Sequence, residues 1–240
     1  MFFPLSNIVA GEQPGFYIDA TEGGEQNNRR IKKFKNYLHD NQCLINNVTS
    51  GKEIAPTSSA AFVFSPLQHP MPNEFKKVLD IRTVDNIPLS GSIVVKASTG
   101  INDLTSLAGV RMGFLSADSS VGYQLPNAMF KNAGVVHDQD KITYTDTSFA
   151  AITMLLHQDV FSSVIATPLA VGWAKANDLH IVAITETLET GGIWVKKSVS
   201  KEKSNLCIAA LAKMTRKDRT YGKLMAVFPY WLDSFELLNK

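Results

Sequence analysis

From Ile93 onward, short runs of β-branched and aliphatic residues alternate with stretches whose apolar residues recur every three or four positions. Alternation between these two periods is the pattern of βαβ units built around a largely parallel sheet. Strands are predicted over Ile93–Lys96, Val110–Leu115, Ile142–Tyr144, Val160–Ala166 and His180–Thr185. Between them the spacing predicts helices over Asp103–Leu107, Tyr123–Ala133, Ser148–Gln158 and Pro168–Ala176. In the second of these, Leu125, Ala128, Met129 and Ala133 share one face and Gly134 supplies a stop. Pro126 lacks an N–H and fits only a first turn, which leaves Asp118–Gly122 as the loop feeding that helix. Thr147 and Thr167 stand where N-caps are expected, the latter directly before Pro168.

Upstream, the pattern predicts strands at Gly15–Asp19, Cys43–Val48 and Ala60–Phe64, and a helix at Asn28–His39. Downstream it predicts a strand at Gly192–Lys197 and helices at Lys201–Met214 and Tyr221–Leu238. Turn formers at Asp85–Gly91 and Thr187–Gly192 separate the three blocks. A chain that leaves one lobe, builds a second and returns passes through two such connections. The expected division is therefore residues 1–90 with 192–240 as one lobe and 91–191 as the other, and no internal repeat is visible.

At 240 residues the chain is long enough for one large core or two ordinary lobes. With 45% hydrophobic and 19% charged residues it reads as folded throughout. The net charge of +2 is spread thinly, and its densest cluster, Arg29 to Lys35, is interleaved with Ile31, Phe34 and Leu38 at helical spacing. That is the solvated face of an amphipathic helix, so no nucleic-acid partner is expected. No apolar run approaches the roughly 20 residues of a spanning helix, and a soluble chain is expected. The apolar Met1–Gly11 stretch has no basic region before it and makes a poor signal peptide, so either the protein is cytosolic or a leader precedes this numbering. Cys43 and Cys207 have no metal-ligand spacing, and whether they pair is open at this stage.

The segment Ser92 to Phe114 contains Ser92-Ile93-Val94-Val95-Lys96, Asn102-Asp103-Leu104 and Leu107-Ala108-Gly109-Val110-Arg111-Met112-Gly113-Phe114. It resembles the strand, short helix and Gly-led strand that open the second lobe of the phosphate- and phosphonate-binding periplasmic receptors of ABC transporters. The following Asp118-Ser119-Ser120-Val121-Gly122-Tyr123-Gln124-Leu125-Pro126 is similar to that family's Ser/Thr-rich loop, Gly-Tyr and helix proline. Resemblance extends over about Ser92 to Lys197. It implies an α/β type II periplasmic-binding fold: two lobes, two hinge crossovers and a ligand cleft. It also implies an extracytoplasmic location, a monomer, a small oxyanion ligand such as phosphate, phosphite or a phosphonate, and a membrane permease as partner. The oxyanion roles fall on Ser119, Ser120 and Tyr123. Two positions depart from the family: a His near a helix start aligns with Ser148, and an Asp of the following strand aligns with Phe161. On that alignment the acid that would pair with an aminophosphonate's ammonium is missing, which favours a plain phosphate-like anion or a changed ligand.

The residues make their own case. A helix N-terminus carries unpaired N–H groups and partial positive charge, and adjacent hydroxyls add donors. Ser119-Ser120 and Thr147-Ser148 both precede predicted helices and follow strands, so both open at the carboxyl edge of the sheet, where ligands of such folds collect. They can converge on one anion, although a lone Ser or Thr at such a place is commonly just a cap. Ser65, in Phe64-Ser65-Pro66-Leu67 after a predicted strand, is the candidate from the other lobe. Asp118 would repel an anion unless it points away, and Trp173 and Trp194 read as packing.

Enzyme chemistry finds little support. The five histidines show no metal spacing, and no Gly-rich nucleotide loop is present, so neither a metal nor another cofactor is expected. Ser198-Val199-Ser200-Lys201 matches an SxxK pattern without its companion motifs. The alternatives to a transport receptor are a ligand-sensing domain of a signalling system with a diverged ligand and, more remotely, a serine hydrolase that would need Ser198.

Overall fold

The computed structural model describes residues 14–52, 60–157 and 159–238, so the reading of Met1–Gly11 lies outside it. In chain order, β1 (Gly15–Asp19) leads through a loop to α1 (Asn28–Asp40), β2 (Val48–Gly51), β3 (Ala60–Leu67) and β4 (Phe75–Thr83). The middle of the chain forms β5 (Gly91–Lys96), β6 (Met112–Leu115), α2 (Leu125–Asn132), β7 (Ile142–Thr145), α3 (Ser148–Leu156), β8 (Ser162–Ala166), α4 (Thr167–Ala176) and β9 (Leu179–Ile184). It closes with β10 (Thr190–Lys196), α5 (Lys201–Ala212) and β11 (Leu232–Leu237).

Two sheets result, one in each of two lobes. The first has order β11-β4-β10-β3-β1-β2 and the second β7-β6-β8-β5-β9. The largely parallel sheet expected for the second lobe is mixed. β6 runs parallel to β7 and β8, but β5 lies between β8 and β9 and is antiparallel to both. β5 enters from the first lobe and β9 leads back to it, so the two run in opposite directions past each other.

α1 has the predicted amphipathic form: Asn27 accepts the Arg30 N–H at 3.0 Å as its cap, Phe34 and Leu38 are buried, and Arg29, Lys32 and Lys33 face solvent. Its packing surface is the first sheet, where Phe16, Phe34, Phe62, Phe64 and Phe228 join in one core. Cys43, expected in a strand, instead follows the end of α1 and forms a buried disulfide with Cys207 of α5; the strand begins only at Val48. The second lobe has a core on each face of its sheet, one around Phe114 and Phe130 and one around Ile152, Leu155 and Ile165.

Three expectations fail locally. The apolar pattern does not predict β4, because Lys76, Lys77, Asp80 and Arg82 interrupt its apolar residues along the chain. The helix expected over Tyr221–Leu238 is replaced by a 3₁₀ turn at Met225–Val227 and strand β11, which pairs with β4. Half-buried Arg216 organises this region by donating to the carbonyls of Leu232, Met225 and Pro229 at 2.8, 3.0 and 2.8 Å. Finally, Asp103–Leu107 holds only a single 3₁₀ turn at Thr105–Leu107.

The two connections between the sheets run side by side. Leu188 donates its N–H to Leu89 at 2.8 Å, and Thr185 exchanges bonds with Gly91 at 2.9 Å through its N–H and its hydroxyl. Thr167, expected to be an N-cap, is the first residue of α4, with Ala166 in the cap position. Its hydroxyl lies 2.7 Å from that of Ser90 and 2.8 Å from that of Ser92, beneath one of these connections.

Candidate anion-binding site

The loop after β6 reaches the helix earlier than the sequence implies. Tyr123 and Gln124 both donate to the Ser119 carbonyl, at 3.1 and 2.9 Å, forming a π-helical turn over Ser120–Gln124 that runs straight into α2. Such turns commonly accompany functional sites. The fully buried residues of the helix are Pro126 and Phe130; of the predicted apolar face, Met129 and Ala133 pack against the core and Ala128 is exposed. Gly122 is required here by close approach: a Cβ would lie 2.4 Å from Leu115 side-chain atoms.

Ser119 is the N-cap. Its buried hydroxyl accepts the Gly122 N–H at 2.8 Å and donates to Glu22 Oε2 at 2.6 Å. The Ser120 N–H donates to Glu22 Oε1 at 2.7 Å, and the Val121 N–H sits 3.3 Å from Oε2. A carboxylate from the first lobe thus fills the donor set at the helix start, where unpaired N–H groups favour an anion. Burial pushes the Glu22 carboxyl up to about 7, against the lowering effect of its bonds to Ser119, Ser120 and Val121; nearby Asp19 pushes the same way.

Glu22 is presented by a braced loop. Asp19 accepts from the Thr21 N–H at 2.9 Å and hydroxyl at 2.8 Å, and Gly23 donates to the Ala20 carbonyl at 3.1 Å. Farther along, Glu25 donates its N–H to Ala226 at 2.7 Å and binds Tyr230 at 2.5 Å and Arg30 at 2.8 Å through its carboxylate. Gly23, at φ +90°, takes a conformation that favours glycine, and a Cβ there would come 3.2 Å from the Asp146 carbonyl. The tip of the loop therefore lies between the Ser119–Val121 turn and the loop that ends at Thr147.

Thr147 caps α3 by accepting the Ala150 N–H at 3.1 Å, and Ser148 is buried in the first helical turn. Ser120 contributes its N–H to Glu22, while its hydroxyl donates to Gln124 at 3.2 Å. Tyr123 packs edge-on against Phe114 and Tyr144, with ring centroids 5.2 and 5.4 Å apart. Ser65, buried in β3, donates to the Leu67 carbonyl at 2.7 Å and contacts His69 Nδ1 at 3.1 Å. Asp118 is exposed. Phe161 precedes β8 and so lies at the amino edge of the second sheet, opposite the anion loop that follows the carboxyl end of β6. The position aligned with a family acid is thus not a cleft position.

Glu22 was not among the candidates. The only signal for it is a carboxylate between a strand end and the pair Gly23-Gly24, which matches many ordinary turns. Ser198 is exposed in the turn after β10.

Residues 81–240 match the sequence model of a family described as ABC transporter, phosphonate, periplasmic substrate-binding protein. No curated protein matches the chain. Among solved structures, a binding-protein component of an ABC phosphonate transporter from Pseudomonas aeruginosa is 15% identical with a TM-score of 0.57, covering 94% of this chain and 82% of that one. A Prochlorococcus marinus protein in complex with methylphosphonate is 12% identical with a TM-score of 0.60, over 95% and 93% of the two chains. A Xanthomonas citri protein bound to ATP is 11% identical with a TM-score of 0.57, over 95% and 92%. At these identities the structural likeness establishes the fold.

Proposed function

The chain belongs to the family of periplasmic substrate-binding proteins of phosphonate ABC transporters, and on that premise we propose that it captures a small phosphorus oxyanion, phosphate-, phosphite- or phosphonate-like, and delivers it to a membrane permease. The observation that carries this reading is the carboxylate held by the Ser119 hydroxyl and the Ser120 N–H at 2.6 and 2.7 Å. A donor set that binds one oxyanion of the chain itself is chemically suited to a free one. The ligand's anionic group takes the Ser119–Val121 turn, with Thr147 and Ser148 beside it, Tyr123 at the flank and Ser65 across the cleft. Closure follows from contacts to both lobes, residues 1–90 with 192–240 and residues 91–191, because a ligand shifts a hinge only by binding the closed form better.

In this reading the protein acts as a monomer outside the cytoplasm and catalyses no reaction. The Cys43–Cys207 disulfide supports the location, since such bonds persist in oxidising compartments. Calorimetric titration with phosphate, phosphite, methylphosphonate, aminoethylphosphonate, sulfate and acetate tests the ligand class. Saturable binding confined to phosphorus oxyanions is the expected result; binding of none of them refutes the reading.

A further inference from the structure

We infer that Glu22 is a tethered competitor for the ligand: it occupies the anion turn and holds the lobes together when no ligand is present, and a ligand must displace it. The inference rests on the oxyanion reading above. Glu22 comes from the first lobe and its partners, Ser119, Ser120 and Val121, from the second, so its bonds bridge the cleft. The carboxylate takes the cap hydroxyl and two successive N–H groups at the helix start, and both residues of the Glu22–Ser119 pair are buried. These donors cannot serve a second oxyanion while it is there.

The loop that carries Glu22 is fixed to its own lobe at Asp19, Ala20, Ala226 and Tyr230. Glu22 therefore cannot swing away alone through backbone movement, and leaving the turn means opening the cleft or rotating the side chain. Closure with Glu22 inserted reproduces the contacts that a ligand's oxyanion would make. The consequence is twofold. Apparent affinity falls by the fraction of molecules in which the turn is free. The occupant also sets a threshold on ligand chemistry, because a tethered carboxylate acts at an effective concentration of about millimolar. A free monocarboxylate offers the turn nothing better, whereas a tetrahedral dianion brings a third oxygen and a second charge.

The test compares wild type, Glu22→Ala and Glu22→Gln by small-angle X-ray scattering without ligand and by calorimetric titration with methylphosphonate, phosphate and phosphite. Circular dichroism checks that each variant is folded, and Glu22→Gln preserves the side-chain volume should alanine disturb the cleft. The expected result is a more extended ligand-free particle for the variants, which becomes compact on ligand addition, and affinity at least about tenfold tighter than wild type if the free turn is a tenth populated. Equal affinity in wild type and variants overturns the inference and leaves the oxyanion reading standing. If no protein binds any of the three anions, the oxyanion reading falls, and scattering alone decides on Glu22: expansion in the variants supports the bridge, and unchanged dimensions overturn it.

Discussion

The Ser119 hydroxyl stands between two partners, accepting the Gly122 N–H at 2.8 Å and donating to Glu22 at 2.6 Å. One side chain thereby caps a helix in the second lobe and fixes a carboxylate from the first. Ser120 beside it contributes to the anion through its backbone alone, since its hydroxyl bonds Gln124.

Ser119→Ala and Ser120→Ala should therefore behave differently. Loss of a hydrogen bond to a charged group is worth about 1.5–3 kcal/mol, and because the same hydroxyl holds Glu22, the loss is read with Glu22 replaced: Ser119→Ala in the Glu22→Ala background should weaken oxyanion binding roughly 10- to 100-fold. It also removes an N-cap, at about 1 kcal/mol of stability. Ser120→Ala should leave affinity within about twofold, because its N–H is retained. Paired titrations and thermal denaturation of the two variants check this.

Acidification should favour the ligand-free closed form. Glu22 titrates at about 7 in the closed cleft, against an ordinary value of 4.5 when exposed. Between those values the closed form holds more protons, so its stability relative to the open form rises as pH falls from about 7 to 4.5 and is fully gained below that. At 1.36 kcal/mol per unit this amounts to about 3 kcal/mol. Burial raises Asp19 as well, against the lowering effect of the Thr21 donors and His69, but its bonds to Thr21 stay within its own loop and do not change with closure. Inter-lobe distance measured by energy transfer between labels on the two lobes should shorten from pH 8 to pH 5 in wild type and respond far less in Glu22→Ala.

The disulfide joins residues 164 positions apart in sequence, Cys43 after α1 and Cys207 in α5. Closing a loop of that size restricts the unfolded chain, at about 5 kcal/mol in the chain-entropy treatment. Replacing both cysteines with serine should lower stability by about 2–5 kcal/mol in chemical denaturation, with the helix content of the folded state kept.

Thr167→Val should strand the Ser90 and Ser92 hydroxyls, which lie 2.7 and 2.8 Å from the Thr167 hydroxyl in a buried cluster. Leaving such groups unpaired costs about 1–3 kcal/mol. Because Ser90 lies in the connection into β5, the variant should also change the extent of lobe closure seen by scattering.

Much of the second lobe is legible because each element states its own period. Strands as short as Ile142–Thr145 and helices such as Ser148–Leu156 lie close to where the apolar pattern puts them. The C-terminal strand is not legible: Leu232 and Phe235 are three apart, a helical spacing, and only pairing with β4 makes the segment extended. β4 in turn hides behind its charged positions. At the site, Ser119 could be found because a hydroxyl before a helix is a local signal. Glu22 could not, since its meaning depends on a partner 97 residues away and on the lobes being closed. The Phe161 alignment fails for a related reason: sequence places it near a strand but does not say which edge of the sheet it occupies.

The most direct test of the central claim is a calorimetric titration of methylphosphonate, phosphate and phosphite into wild type, Glu22→Ala and the Glu22→Ala/Ser119→Ala double variant. One-to-one binding in the first two proteins, strongest in Glu22→Ala and weakened at least about tenfold from that level in the double variant, is the expected result. Absence of binding in both wild type and Glu22→Ala, or the full affinity of Glu22→Ala in the double variant, would contradict the account.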